Sequence, residues 1–324
     1  MQRRNLITAA AAGTAYLASP LLRAQALPSG PIRILVGFAP GGGTDILARV
    51  MAQKLGAMWN TTVIVENRAG ATGTIAADYV AHQPGDGTTL FMAHINSQAI
   101  APALMKLNYN ADTDFQPIAL IGVTPNLLIC NEHQPAKTVK DLVELCKKNP
   151  GKISFGSAGN GSAQHLALEM FKLAAGITAI HVPYKGSGPM LTDLIGGQIQ
   201  YSFDTMTAAT PHVKNGKAIA IAQTRQIRAK GHPNVPTMSE SGFPGFEATT
   251  WYGMVGPAKM PVAMARRMNE DINKVLAMPD VIEKFEQYGA EDGGGSTEKF
   301  ASFMQVEARK WAKVVKDANV KGDA

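Results

Sequence analysis

Short apolar runs alternate with amphipathic stretches along most of the chain. Residues 32–38 form the first apolar run, and from Asp45 onward Ile46, Leu47, Val50, Met51 and Leu55 share one stripe at 3.6 residues per turn. Arg49, Gln53 and Lys54 occupy the remaining faces. Further apolar runs at 62–66 and 89–93, with a helical stretch from Gly73 between them, predict βαβ units on a mostly parallel sheet. A second series begins after Val123, with strands at 126–130, 153–156, 180–182 and 199–203 and helices at 139–148, 163–173 and 189–195. Residues 224–247 are rich in Gly, Pro, Ser and charge and predict an irregular connection, followed by a strand at 248–255. Three helical stretches close the chain, at 262–276, 279–288 and 297–316, the last with Phe300, Met304, Trp311 and Val315 on one stripe. No strand separates them, so their stripes are expected to dock on the first sheet.

This pattern predicts an α/β protein of two lobes with a double crossing near Val123 and Trp251. One lobe takes residues 27–123 and 253–324, the other 124–252. A chain of 324 residues exceeds the size at which a single core usually keeps growing, which agrees with two lobes. Only 17% of residues are charged, against a usual figure of about 25%, and 45% are hydrophobic, so disorder and coiled coil are both disfavoured.

Residues 1–26 read as an export signal: Arg3 and Arg4, an apolar run from Leu6 to Leu22, then Ala24-Gln25-Ala26 with cleavage after Ala26. Thr8, Thr14 and Ser19 interrupt the run, which falls short of the ~20 apolar residues that span a bilayer. The pair of arginines leaves both the Sec and the Tat route open, and the predicted location is the periplasm. Removal of the signal takes the net charge from +6 to +3 and leaves no basic cluster, so nucleic-acid binding has no support. Cys130 and Cys146 would meet an oxidising compartment, and an even count permits one disulfide. Their places at a strand end and on a helix do not fix a separation, and two free buried thiols are preferred.

The run "ILVGFAPGGGTDILARV" passes from strand through three glycines into helix, which is the physical recipe for an anion site at a helix N-terminus. Thr44-Asp45 stands where a triphosphate loop needs Lys-Ser/Thr, and Ile46 stands where a dinucleotide loop needs its third glycine. A smaller anion such as a carboxylate fits better, and Asp45 reads as an N-cap or first-turn acid. The run "ISFGSAGNGSAQHLALEMF" repeats the design in the second lobe, with Ser157, Gly159, Gly161 and Ser162 in the turn and Ser162 as N-cap. Two helix N-termini on opposite lobes describe a clamp for a dicarboxylate. Turns at the C-terminal ends of other predicted strands add Asn96, Ser97, Lys185, Gly186, Asp204 and Thr205 as candidates. Taken singly, turn chemistry and capping explain each of these equally well.

Catalytic readings fit poorly. Ser157 lacks the glycine two residues before it that a nucleophile elbow needs, because Phe155 stands there. His165 and Glu169 share a helix face, yet spacing nominates no third metal ligand, and neither metal nor cofactor is expected.

Five segments together resemble the Bug/TctC family, the extracytoplasmic solute receptors of tripartite tricarboxylate transporters: 37–45 (GFAPGGGTD), 65–73 (VENRAGATG), 84–90 (PGDGTTL), 181–186 (HVPYKG) and 251–253 (WYG). The resemblance covers essentially the whole chain after the signal. It implies a type II periplasmic binding fold whose lobes close on a carboxylated solute, which a monomeric receptor then offers to a membrane permease. Typical family ligands are citrate, other di- and tricarboxylates, acidic amino acids and aromatic carboxylates. On this resemblance the first loop holds one carboxylate through backbone amides and water at Pro40, Gly41, Gly42 and Thr44, with Phe38 and Asp45 beside them. The second-lobe loop maps to Ser157, Gly159, Gly161 and Ser162, with His165 behind it. Among the cleft loops only Lys185, with His94 or His165, offers positive charge, which favours a mono- or dicarboxylate over a tricarboxylate. A receptor that presents its ligand to a sensor protein, and an exported hydrolase or lyase using Ser157 or His165-Glu169, are the alternatives.

Overall fold

The computed structural model describes residues 27–28 and 30–317; the export segment read at residues 1–26 lies outside the described residues. The first lobe opens with β1 (Ile32–Val36), α1 (Gly43–Trp59), β2 (Val63–Asn67), α2 (Thr74–Ala81) and β3 (Thr89–His94). A π-helical turn at Asn96–Ile100 and the short α3 (Ala101–Leu104) lead to β4, a 17-residue strand from Phe115 to Asn131. The second lobe contains α4 (Val139–Lys148), β5 (Ser154–Ser157), α5 (Ala163–Ala175), β6 (Ile180–Pro183), α6 (Ser187–Ile195), β7 (Tyr201–Thr205), α7 (Met206–Lys214) and β8 (Ala218–Gln223). The chain returns through β9 (Thr249–Pro257) and ends in α8 (Val262–Leu276), α9 (Pro279–Gln287) and α10 (Thr297–Asp317).

Strand β4 belongs to both sheets. Its first part, Phe115 to Pro125, pairs with β9, which in turn pairs with β3 in a sheet ordered β2-β1-β3-β9-β4. From Asn126 to Asn131 the same strand pairs with β7 and β8, in a second sheet that continues through β5 to β6. The β1-β2-β3 and β5-β6-β7 pairings are parallel, whereas β4, β8 and β9 pair antiparallel. Chain direction explains this division: helical crossovers return strands in parallel, while the two crossings between lobes run in opposite directions beside each other.

Each sheet has an apolar cluster on either face. Leu47, Val50, Met51 and Leu55 of α1 pack with Ala265, Met268 and Ile272 of α8 on one face of the first sheet. Burial of side chains of this kind stabilises by roughly 1.5–3 kcal/mol each, enough to fix α1 rigidly against the sheet. On the opposite face, Phe300, Met304, Trp311 and Val315 of α10 join Ala76, Val80 and Phe91. The terminal helices therefore dock on the first lobe, as their stripes required.

The π-helical turn at Asn96–Ile100, α3, α7 and β8 were not foreseen. Helix α7 carries Pro211 inside a threonine- and alanine-rich stretch, which hides its stripe, and β8 alternates alanine with isoleucine, which weakens the period-two signal. The first part of β4 was also missed, because most of it is buried and it lacks alternation. Helix α1 starts at Gly43, two residues before the expected Asp45. Cys130 and Cys146 are free and buried, and burial pushes both thiols up to about 11.

Candidate functional site

The turn after β1 is held open by its own side chains. Asp45 Oδ2 accepts from the Gly41 amide at 3.0 Å and from Arg49 Nε at 2.9 Å, while Oδ1 accepts from Arg49 Nη2 at 2.8 Å and Asn67 Nδ2 at 2.9 Å. Asn67 Nδ2 also donates to the Phe38 carbonyl at 3.0 Å. Burial would raise the Asp45 carboxyl, but the bonds from Arg49, Gly41 and Asn67 outweigh it and lower its pKa. Asp45 thus positions the loop, and no side chain caps α1, whose N-cap is Gly42. The amides of Gly43 and Thr44, in the first turn, carry the positive end of the helix dipole into the cleft.

Across the cleft stand Ser187, Thr205 and Gln164 of the second lobe and Tyr252 of β9. With Phe38, Gly42, Gly43, Thr44, His94 and Ala158 they line an inner room of about 10 Å³, so the lobes are nearly closed on one another. Gly43 is needed for this approach: a Cβ there would lie 2.3 Å from the Tyr252 hydroxyl and 2.8 Å from Thr205 Oγ1. Phe38 and Ala158 also border an outer groove of about 710 Å³, shared with Ala39, Thr72, Gly159, Tyr184 and Lys185.

The inner room is polar but incompletely paired. Gln164 Oε1, the Tyr252 hydroxyl and Asp204 Oδ2 are buried without a hydrogen-bond partner. Asp204 lies directly behind the lining, its Oδ1 accepting from Ser187 Oγ at 2.5 Å and from the Thr205 amide at 2.8 Å. Burial pushes Asp204 up to about 7 against the lowering effect of those bonds and of the nearby Gln164 side chain, which stops short of a hydrogen bond to Oδ2. His94 is pressed between Phe38 and Tyr252, with ring centroids 5.0 and 5.3 Å away. Its Nδ1 accepts from the Asn96 amide at 3.2 Å, and burial lowers it to about 3, so it is neutral. Buried polar atoms normally find partners, and these three orphans lie beside one room; the Tyr252 hydroxyl is close enough to Thr205 and Thr207 for both to lower its pKa, without a hydrogen bond to either.

The second loop is paired differently. Ser162 Oγ accepts from the His165 amide at 3.2 Å, His165 Nδ1 accepts from the Gly161 amide at 3.0 Å, and Asn96 Oδ1 of the first lobe accepts from the Ala163 amide at 3.0 Å. Ser157 Oγ accepts from the Gly159 amide at 3.2 Å and lies 2.6 Å from His181 Nε2. With its Nδ1 occupied as acceptor, His165 presents Nε2 to Glu169 Oε1 at 3.5 Å, and its ring stacks on His181 with centroids 3.7 Å apart. Burial would raise Glu169, yet the bonds from His165 and Lys172 hold it at about 2.

Of the residues chosen from sequence, Phe38, Gly42, Thr44 and Thr205 line the inner room, with Asp204 behind them. Gly159 and Lys185 border the outer groove, Lys185 exposed at its mouth. Pro40 and Gly41 are exposed at the loop tip, where Gly188 approaches so closely that a Cβ on it would lie 2.2 Å from the Pro40 carbonyl oxygen. Gly186, at φ +129°, lets the second lobe meet Phe38 and Ala39, and the Ala39 amide donates to the Lys185 carbonyl at 3.1 Å. Ser97 turns inward, donating to the His94 carbonyl and accepting at its own carbonyl from Tyr109. Gly161, Ser162 and His165 serve the second helix terminus, and among the described residues no group of acids, histidines and cysteines is arranged to hold a metal.

Sequence reasoning missed Gln164, Ser187 and Tyr252. Tyr252 stood in the Trp-Tyr-Gly segment that carried the resemblance, and Ser187 next to the nominated Gly186, so neighbourhood was a usable signal for both. Gln164 had none, because nothing local tells which face of α5 meets the other lobe.

Comparison with known proteins places this geometry. Residues 47–320 match the model of the tripartite tricarboxylate transporter family receptor. The chain is 34% identical to Protein BugT of Bordetella pertussis over 310 residues, covering 95% of each chain. Among solved structures it resembles R. palustris Rpa4515 with adipate, at 33% identity and a TM-score of 0.88, covering 91% of this chain and 99% of that one. It also resembles MatC from Rhodopseudomonas palustris with bound malate, at 30% identity and a TM-score of 0.83, covering 89% and 100%.

Proposed function

The chain belongs to the tripartite tricarboxylate transporter receptor family, and on that premise we propose that it captures a small dicarboxylate or similar organic acid in the periplasm and delivers it to a tripartite membrane permease. The observation that carries this reading is the N-terminus of α1, which no side chain caps and which faces orphaned polar groups across the cleft. A carboxylate satisfies both the helix dipole and the free amides. Adipate in one structural neighbour and malate in another support the solute class.

The binding residues are those that line the two spaces: Phe38, Gly42, Gly43, Thr44, Gln164, Ser187, Thr205 and Tyr252 at the solute's head, and Gly159 and Lys185 along its body. The inner room is too small for a carboxylate in the closed arrangement, so the solute enters with the lobes apart and closure seals its head. Motion occurs about β4 and β9, where the chain changes sheets between Pro125 and Asn126 and returns at Thr249. These positions support lobes of 27–123 with 253–324 and 124–252. The protein acts as a monomer without cofactor, and we assign no catalytic step: Ser157 is fully buried and its oxygen already accepts from Gly159.

The test is a melting scan against a panel of carboxylates, amides and sugars. A solute at a hundred times its Kd stabilises the folded state by about 2.7 kcal/mol, so a bound dicarboxylate raises Tm by several degrees. A panel in which only amides or sugars shift Tm overturns the reading.

A further inference from the structure

Asp204 raises a problem that the receptor reading leaves open, because a carboxylate solute arriving at the α1 terminus meets a second carboxyl already in the wall. The Asp204 side chain is fully buried; its Oδ1 accepts from two lining residues, Ser187 and Thr205, and the side chain of a third, Gln164, lies close enough to lower the carboxyl's pKa. Oδ2 has no partner. We propose that Asp204 binds the solute as a neutral carboxylic acid, its Oδ2 proton donated to a solute carboxylate oxygen, so that capture of each solute takes up one proton from bulk water at this residue. The inference rests on the carboxylate reading of the cleft.

The surroundings favour a proton over the alternatives. The groups against Asp204 are uncharged: Leu127 of β4 pairs with it, and Ser187, Thr205 and Gln164 act on its carboxyl, while the rest of the room's lining includes Gly42, Gly43 and Thr44. His94 of β3 is held neutral by burial, and burial together with Asp204 raises Tyr252 of β9, so its phenol stays protonated. The charged or titratable side chains farther out are engaged elsewhere: Asp45 with Arg49, His165 with Glu169, while Lys185 is exposed at the mouth. Nothing on the protein side thus neutralises two anions in so small a space, and a shared proton does. A solute ammonium would place positive charge against the positive end of α1, which opposes it. Because burial has already brought the free carboxyl up to about 7, a second negative charge beside it raises it further, and the bound form is protonated at pH 7 to 8.

Calorimetric titration of the folded protein with adipate and with malate, at pH 8 in two buffers of different ionisation enthalpy, counts the protons. The expected result is uptake of close to one proton per solute, with affinity falling up to tenfold per pH unit as pH rises above about 7. Asp204→Asn, whose amide supplies a permanent donor, should bind with no proton uptake and with affinity flat from pH 6 to 9. Solute binding to the wild type with no proton uptake overturns the inference and leaves the receptor reading intact. A folded Asp204→Asn protein that has lost affinity at every pH also overturns it, since an ionised Asp204 would then be accepting a donor from the solute. If no carboxylate binds at all, the receptor reading itself falls and this inference with it.

Discussion

The molecule contains two strand–turn–helix units of nearly the same sequence design, one in each lobe, and they end in opposite states. At the N-terminus of α1 the cap is Gly42 and the one nearby acid, Asp45, folds back onto Gly41, Arg49 and Asn67. At the N-terminus of α5 the side chains of Ser162, His165 and Asn96 take up amides one by one. A glycine-rich turn leading into a helix is therefore not in itself an anion site. What matters is whether the protein has already supplied the acceptors: among the described residues, side chains engage the Gly161, Ala163 and His165 amides of the second unit, and none caps the first helix. The second serves closure, because one of its acceptors, Asn96, reaches it from the other lobe.

The sharpest way to break this contrast is to cap the first terminus. In Gly42→Asp the new side chain has room, since a Cβ at Gly42 would make its nearest contact 3.6 Å from Ser187 Cβ, and Asp is a favoured N-cap. Its carboxylate would occupy the donors meant for the solute. Affinity for a dicarboxylate should fall at least about 100-fold by calorimetry, while Tm of the solute-free protein holds or rises by about a degree. Unchanged affinity would remove the first loop from the site.

A smaller effect is expected at the bridge between the loops. Asn96→Ala leaves the Ala163 amide without its acceptor only when the lobes are together, a cost of about 1–3 kcal/mol on closure. Affinity should drop roughly tenfold with little change in Tm of the free protein. A large loss of Tm with unchanged affinity would show that Asn96 supports the fold and not closure. Smallest of all, Ser162→Ala removes the α5 cap at a cost of about 1 kcal/mol and lowers Tm by about 2–4 °C. Solute affinity should stay within about threefold; a fall as large as that in Gly42→Asp would make the second terminus an equal partner in binding.

Much of the architecture was legible along the chain because it depends on local periodicity. The alternation of apolar runs with helical stripes located most strands and helices, and the strandless end of the chain pointed to the return of α8, α9 and α10 to an earlier sheet. The placing of Gly42 and Thr44 at a helix start beside the cleft was legible too, since strand, glycine turn and helix are contiguous. Helix α7 and strand β8 were not, because Pro211 and the alanines of β8 blur the period on which such readings depend.

The sequence by itself determined the segments, the glycine turns that let the lobes approach, and the scarcity of cations near the cleft. All of these are properties of neighbouring residues or of composition. Only the tertiary structure decided how fully the second terminus is engaged, because one of the three side-chain acceptors there comes from Asn96, 67 positions away. It alone brought Gln164, Ser187 and Tyr252 into one room with Thr44, and it alone buried Asp204 with one oxygen unpaired. Contacts across the cleft depend on how two sheets are set against each other by β4 and β9, and no local pattern encodes that setting.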